Sequence, residues 1–298
     1  MILCLAANPS IDKLFEIDEL HPGEVHRPGR FVQVAGGKGL NAARAAATLG
    51  AEVRVAALVG GHTGAWLVQE LGEAGIDVHP VWTEAESRSS LSVADRATQG
   101  LTEFYEDGGP VAGTAWETFA AVAAELSAGA AWTTISGSVP KGAPETAYGD
   151  LEIASALALD TVAPAPAAFD LIKVNAAEAA ALTGIDTTGD DGAVAAVRAL
   201  GAGPAAAAIT LGARGALLAT PEGAVLRATL DEPGPYPVGS GDSFLAGLVV
   251  ARSANADWRG ALALAMGAAT ANAAVPGAAC FERADAERLA ARVSLSAM

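Results

Sequence analysis

The residues best able to do chemistry lie in the run Pro237-Val238-Gly239-Ser240-Gly241-Asp242-Ser243-Phe244, directly before the apolar stretch Leu245 to Ala251. Glycines let the chain turn tightly, so that backbone N–H groups converge at a helix start, where the dipole favours an anion. Asp242 falls in the first turn of that helix. Two readings are open. In one, Asp242 only caps the helix. In the other, the amides of Gly239 to Asp242 neutralise charge building on a transferring phosphoryl group, while Asp242 orients an acceptor hydroxyl and takes its proton. The chain has no GxxxxGK[ST] loop and no dinucleotide-binding glycine fingerprint.

A second glycine turn, Ala35-Gly36-Gly37-Lys38-Gly39-Leu40-Asn41, leads into a helix from Ala42 to Leu49. It lets a ligand approach the backbone and offers Lys38 and Asn41 as polar partners. Upstream, Asn8-Pro9-Ser10-Ile11-Asp12 follows the first apolar strand. Ligands bind outside the carboxyl ends of parallel strands, and a carboxylate there can take hydrogen bonds from sugar hydroxyls. The plainer alternative for Asp12 is an Asx-turn.

These turns need a frame. Apolar runs at 2–7, 53–59, 132–136, 170–174 and 206–211 read as buried strands. Between and after them, helical stretches fall at 40–49, 64–73, 115–128, 176–183, 190–200, 241–252, 257–274 and 284–292. Such alternation predicts an α/β fold, a largely parallel sheet covered on both faces. Segments 12–34 and 76–105 lack helical periodicity and read as strands of a small β-layer, a lid on a single domain spanning 1–298.

Composition excludes several classes. The chain has 298 residues, 51% hydrophobic and 17% charged, so it is neither disordered nor too small for a full core. A net charge of −16 argues against nonspecific nucleic-acid binding but leaves room for local arginines to hold a phosphate. The uncharged run Ala261 to Cys280 is long, but Thr270, Asn272 and Pro276 mark it as buried protein rather than a membrane span. Met1 to Ala7 is too short for a signal peptide and lacks a basic start. Cys4 and Cys280 read as buried thiols of a reducing cytoplasm, and no CxxC or HExxH spacing offers a zinc site.

Six motifs occur in order: NPSID at 8–12, GGKGLN at 36–41, SGSVPKG at 136–142, KVNAAE at 173–178, ITLGARG at 209–215 and VGSGDS at 238–243. Together they resemble the PfkB branch of the ribokinase-like carbohydrate kinases, most of all 1-phosphofructokinases and tagatose-6-phosphate kinases. The resemblance implies a doubly wound domain with a β-sheet lid, a homodimer joined through the lids, and Mg-ATP as phosphoryl donor. It implies Asp242 as base, with Gly239, Ser240 and Gly241 as its anion hole. Asp12, Gly36, Gly37, Lys38 and Asn41 fall at sugar-binding positions. Asn175, Thr210, Gly212, Gly215 and Asn272 fall on the ATP side, and Glu178 organises Mg²⁺ through water. Arg27 and Arg88, one in each lid segment, match positions that hold a substrate's existing phosphate, a task that suits guanidinium. Where the family has threonine before the last turn and KPN in the fourth motif, this chain has Pro237 and Val174. The interval from Pro140 to Asn175 is short, with a strand and helix compressed into Leu157 to Phe169. The expected activity is phosphorylation of a hexose phosphate, foremost fructose 1-phosphate. The alternatives are tagatose 6-phosphate or fructose 6-phosphate, an unphosphorylated sugar or nucleoside, and a catalytically idle sensor on the same fold.

Overall fold

The structure is a computed structural model and describes residues 1–203 and 205–298. The chain opens with β1 (Ile2–Ala6), enters the lid as β2 (Ser10–Ile17) and β3 (Arg30–Gly36), and returns through α1 (Lys38–Thr48) to β4 (Val53–Gly60). Helix α2 (Gly61–Glu73) leads to β5 (Asp77–Thr83). The chain then revisits the lid as β6 (Arg88–Asp95) and β7 (Gly100–Tyr105). There follow α3 (Gly113–Ser127), β8 (Trp132–Ser136), β9 (Ala156–Asp160), β10 (Leu171–Asn175), α4 (Ala176–Thr183), α5 (Asp190–Leu200) and β11 (Ala206–Thr210). The last part runs through β12 (Ala216–Ala219), β13 (Val225–Thr229), α6 (Ser240–Ser253), α7 (Trp258–Ala273), α8 (Arg283–Ala290) and β14 (Ser294–Ala297).

The main sheet has ten strands in the order β14-β13-β12-β11-β10-β9-β8-β1-β4-β5. The seven from β11 to β5 are parallel, and β12, β13 and β14 extend the edge antiparallel. Burial on both faces explains the unbroken apolar strands. In β1, Ile2, Cys4 and Ala6 enter one core with α1, α2, α6, α7 and α8. Leu3 and Leu5 enter the other with α3, α4 and α5. The order reverses where β1 lies between β4 and β8, the crevice at which an open α/β sheet binds ligands.

The lid has the strand order β3-β2-β6-β7, with β2 and β6 parallel. Its second segment is shorter than the periodicity implied. Residues 77–83, expected in the lid, form the outermost parallel strand of the main sheet, because Val78 and Val81 pack beside β4. The compressed interval keeps its strand, β9, and omits its helix: residues 161–169 run as loop through Pro164 and Pro166. Cys280 lies beyond the end of α7, half-buried, whereas Cys4 is fully buried. No helix among the described residues is long and apolar enough to cross a membrane.

Helix α6 carries Asp242 and is wedged between α1 and α7. Gly247 permits that fit, since a Cβ there would lie 2.6 Å from Ala265 Cα. Gly247→Ala should therefore destabilise the protein by about 1–3 kcal/mol through overpacking, read as a lower urea midpoint at unchanged m-value.

Candidate active site

A cleft of about 1260 Å³ runs between the lid and the carboxyl ends of the parallel strands. At its centre stands Asp242. The chain reaches α6 through Gly239, whose φ of 82° places it in the left-handed region. A side chain there would also strike Ala278, 2.7 Å from a Cβ. The Ser240 N–H donates back to the Pro237 carbonyl at 3.1 Å and the Ser243 N–H to Gly239 O at 2.9 Å, whereas the amides of Gly241 and Asp242 have no carbonyl four residues back within the helix and so stay available to an anion. Asp242 is itself buried, and Asn41 Nδ2 donates to its Oδ2 at 2.9 Å. Burial pushes its carboxyl up to about 6, Asp160 adds to the rise, and Lys173, Asn41 and Lys38 oppose it. A carboxylate poised there can serve as a base near neutral pH.

Around it lies a charge cluster drawn from several elements. Asp160, at the end of β9, is wholly buried. Lys38 Nζ donates to its Oδ1 at 3.1 Å, and Lys173 Nζ lies 2.5 Å from its Oδ2 as an ion pair outside hydrogen-bond geometry. Lys38 also reaches Glu178 Oε1 at 3.2 Å. Burial works against the Lys38 charge, but Asp160, Glu178 and Asp242 outweigh it and hold the ammonium above the ordinary lysine value. Glu178 has a second task. Its Oε2 accepts the Asn175 N–H at 2.8 Å, and Asn175 Oδ1 accepts the Glu178 N–H at 2.9 Å. That reciprocal capping box starts α4 and explains the NxxE spacing locally.

At the lid end, Asp12 is held on both oxygens. Its Oδ1 accepts from Ser10 Oγ and Ser90 Oγ, each at 2.5 Å, and its Oδ2 from Gly37 N at 3.1 Å. Gly36 must lack a side chain, because a Cβ would sit 2.1 Å from the Asp12 carboxyl. Arg88 is half-buried, with Nε 3.2 Å from Asn8 Oδ1, and Asn8 Nδ2 donates to Ser138 Oγ at 3.0 Å. At the other end, Thr210, Gly212 and Gly215 line a turn after β11. Leu230, Gly234, Met266, Ala269 and Thr270 extend that wall.

Most residues singled out in the sequence thus share one cleft: Asp12, Gly37, Lys38, Asn41, Arg88, Asn175, Glu178, Thr210, Gly212, Gly215 and Gly239 to Asp242. Gly36 lies just behind Asp12. Two residues stand elsewhere. Arg27 is exposed in the loop between β2 and β3 and does not line the cleft of its own chain. Asn272, expected beside a nucleotide, is completely buried. Its Nδ2 donates to Val238 O at 2.8 Å and Ser240 Oγ at 3.0 Å, while its Oδ1 accepts from Ala279 N at 2.7 Å. The neighbours Ala269, Thr270 and Ala273 present the cleft-facing side of α7 instead. Sequence reasoning left out Asp160 and Lys173. Their signal was a lone charge inside an apolar strand, in Ala-Leu-Ala-Leu-Asp160 and Leu-Ile-Lys173-Val.

Comparison with known proteins agrees with this architecture. The sequence pattern of the pfkB family carbohydrate kinases matches residues 6–283. The chain is 31% identical to a 1-phosphofructokinase of Haloferax volcanii over 92% of this chain and 91% of the relative. It is 29% identical to a 1-phosphofructokinase of Rhodobacter capsulatus over 86% and 85%. Among solved structures, phosphofructokinase-2 from Escherichia coli, in complex with substrates and products, superposes with a TM-score of 0.87 at 24% identity, over 97% and 98% of the two chains. Ribokinase from Arabidopsis thaliana, with ribose and ATP, gives 0.73 at 18% over the same shares. These two likenesses show the fold. With the motif order, the cleft and the match across nearly its whole length, the chain belongs to the pfkB family of carbohydrate kinases.

Proposed function

We propose that the protein transfers the γ-phosphoryl group of ATP to a hydroxyl of a hexose phosphate, D-fructose 1-phosphate foremost, yielding fructose 1,6-bisphosphate and ADP. The observation that carries this reading is Asp242: a buried carboxylate with a raised pKa at a glycine-turned helix start, sharing one cleft with Asp12 and Arg88. The names of the two curated relatives support the choice of fructose 1-phosphate.

Asp12 and Asn41 orient the sugar hydroxyls, and Arg88 receives the phosphate already on the substrate by charge-assisted hydrogen bonds. Asp242 takes the proton from the acceptor hydroxyl as its oxygen bonds to the γ-phosphorus and the bond to the β-phosphate oxygen breaks. The amides of Gly239, Gly241 and Asp242 stabilise the charge on the transferring group, and Lys38 stands beside it. Thr210 and the Gly212–Gly215 turn hold the nucleotide side. Among the described residues no group of three or more acidic, histidine or cysteine side chains could cage a metal ion. Glu178, with Asn175 beside it, fits Mg²⁺ as that ion usually binds in kinases, through one carboxylate, waters and the substrate's own phosphates. Mg²⁺ would supply charge neutralisation between the phosphates. The free thiols of Cys4 and Cys280 suit a reducing cytoplasm.

The lid face turned from Asp12 carries Phe15, Phe31, Leu91 and Phe104, with Phe31 53% and Phe104 58% exposed. That apolar face supports a homodimer joined through the lids. Arg27, outside its own cleft, then serves the partner's phosphate site. Phe31→Asp with Phe104→Asp should give a monomer in sedimentation. Arg27→Ala should raise the sugar-phosphate KM in the dimer. A dimer that survives the double change would remove the lid interface.

The substrate assay measures ADP release from Mg-ATP with fructose 1-phosphate, fructose 6-phosphate, tagatose 6-phosphate, fructose and ribose. Turnover should be highest on fructose 1-phosphate, and Arg88→Ala should raise its KM about tenfold or more with a smaller change in kcat. An unchanged KM would move the choice to unphosphorylated acceptors.

Asp242→Asn should lower kcat by about 10²-fold or more while ligand binding persists. In the wild type, kcat/KM should fall as pH drops through about 6, where the base of the free enzyme becomes protonated. The native carboxyl also holds its proton more tightly than the unfolded chain does, its pKa being raised from 3.8 to about 6. Ionised Asp242 therefore costs stability above pH 6, and the cost disappears as pH falls below about 4. Asp242→Asn should accordingly stabilise the protein at pH 8 by on the order of 1–3 kcal/mol, with no gain at pH 4, as followed by thermal denaturation.

A further inference from the structure

Arg44 is absent from the cleft wall, yet it touches the backbone behind two of the turns that form it. It sits on α1, one helical turn after Asn41, and is buried. Its Nη2 donates to the Ala35 carbonyl and lies 3.3 Å from Glu70 Oε2, and the same Glu70 oxygen accepts the Ala35 N–H at 2.9 Å. Ala35 is the residue directly before the Gly36-Gly37 turn that holds Asp12. The other arm of the guanidinium, Nη1, donates to the Ala278 carbonyl at 3.0 Å.

Ala278 and Ala279 back the second turn. Ala278 is the residue that a Cβ on Gly239 would strike. Ala279 has a φ of 55°, a region alanine disfavours, and its N–H is bound by Asn272, which in turn holds Val238 and Ser240. A continuous path therefore runs from Ala35 through Arg44 to Ala278, Ala279, Asn272 and the Gly239–Asp242 turn. A planar guanidinium with donors on both arms can bridge carbonyls lying in different directions, and a lysine ammonium on its single stem bridges them poorly.

We propose that Arg44 is a positioning residue for phosphoryl transfer: a buried strut that sets the acceptor-binding turn against the anion-binding turn. It touches neither substrate and acts through Ala35 on one side and Asn272 on the other. The inference rests on the reading of Gly239–Asp242 as the transfer site.

The test uses Arg44→Lys in the full chain. Arg44→Gln with Glu70→Gln is a second variant that removes both charges together, so that neither is left buried alone. Hydrogen–deuterium exchange without ligands should speed up at residues 33–37 and 238–242 relative to α5 in the opposite core. Under saturating substrates kcat should fall roughly ten- to a hundredfold, as misplaced reacting groups cost, while the ATP KM stays unchanged. Combined with Asn272→Ser, Arg44→Lys should cost little beyond Asn272→Ser alone, because both act along one path. Unchanged or uniformly faster exchange, or kcat losses that multiply in the combined variant, would overturn the strut. Turnover that survives Asp242→Asn would instead overturn the transfer-site reading, and the exchange result would still decide whether Arg44 joins the two turns.

Discussion

The cleft depends on pairing Asp160 where water does not reach it. A buried carboxylate is tolerated only when paired, and removing one partner of such a pair costs several kcal/mol, on the order of 3–5. Here the partners are Lys173 on the neighbouring strand and Lys38 at the start of α1. Lys38 also draws in Glu178 from α4, and the field of Asp160 adds to the rise that burial imposes on the carboxyl of Asp242 on α6. Five elements thus meet through one carboxylate. The lysines oppose the rise at Asp242, and the balance leaves that carboxyl near neutrality, where a base is most useful.

Glycine and alanine make this meeting geometrically feasible. The helices over the catalytic core are lined by Ala43, Ala46, Ala265, Ala268 and Ala271, and the close fit of α6 to α7 needs Gly247. Small side chains bring helix axes close, so charged groups arriving from several elements fall within hydrogen-bond reach. The high apolar fraction of the sequence is thus spent on close approach as much as on bulk burial. Within the cleft wall the acidic groups Asp12, Glu178 and Asp242 stand among the cations Lys38, Lys173 and Arg88.

Local pattern made the alternation of strands and helices readable, because strands buried on both faces are unbroken apolar runs and helices carry their periodicity with them. The glycine turns were readable as turns, and the φ of Gly239 is set within its own turn, whereas the room that Gly36 leaves for Asp12 and Gly239 for Ala278 depends on residues far along the chain. What eluded the sequence is what depends on distant partners. Strand β5 reads like a lid strand until β4 is placed beside it. Strands β12 to β14 are short and unremarkable in isolation. Asn272 carries an amide suited to a ligand, and only the fold shows that amide bound to Val238, Ser240 and Ala279. Arg27 and Arg88 look alike in the sequence, yet one lines the cleft of its own chain and the other is out in the solvent.

The lid is assembled from two separate excursions of the chain, and its central pair joins β2 to β6 in parallel, with Ser10 opposite Arg88. Closing so long a loop costs entropy before the pairing returns anything. The intervening β4, α2 and β5 shorten that search, because once docked on β1 they bring the two lid segments to the same edge of the domain. The lid is therefore late in the folding order and cannot stand apart from the body. Four crossings tie it to the body, so no single connection can act as its hinge.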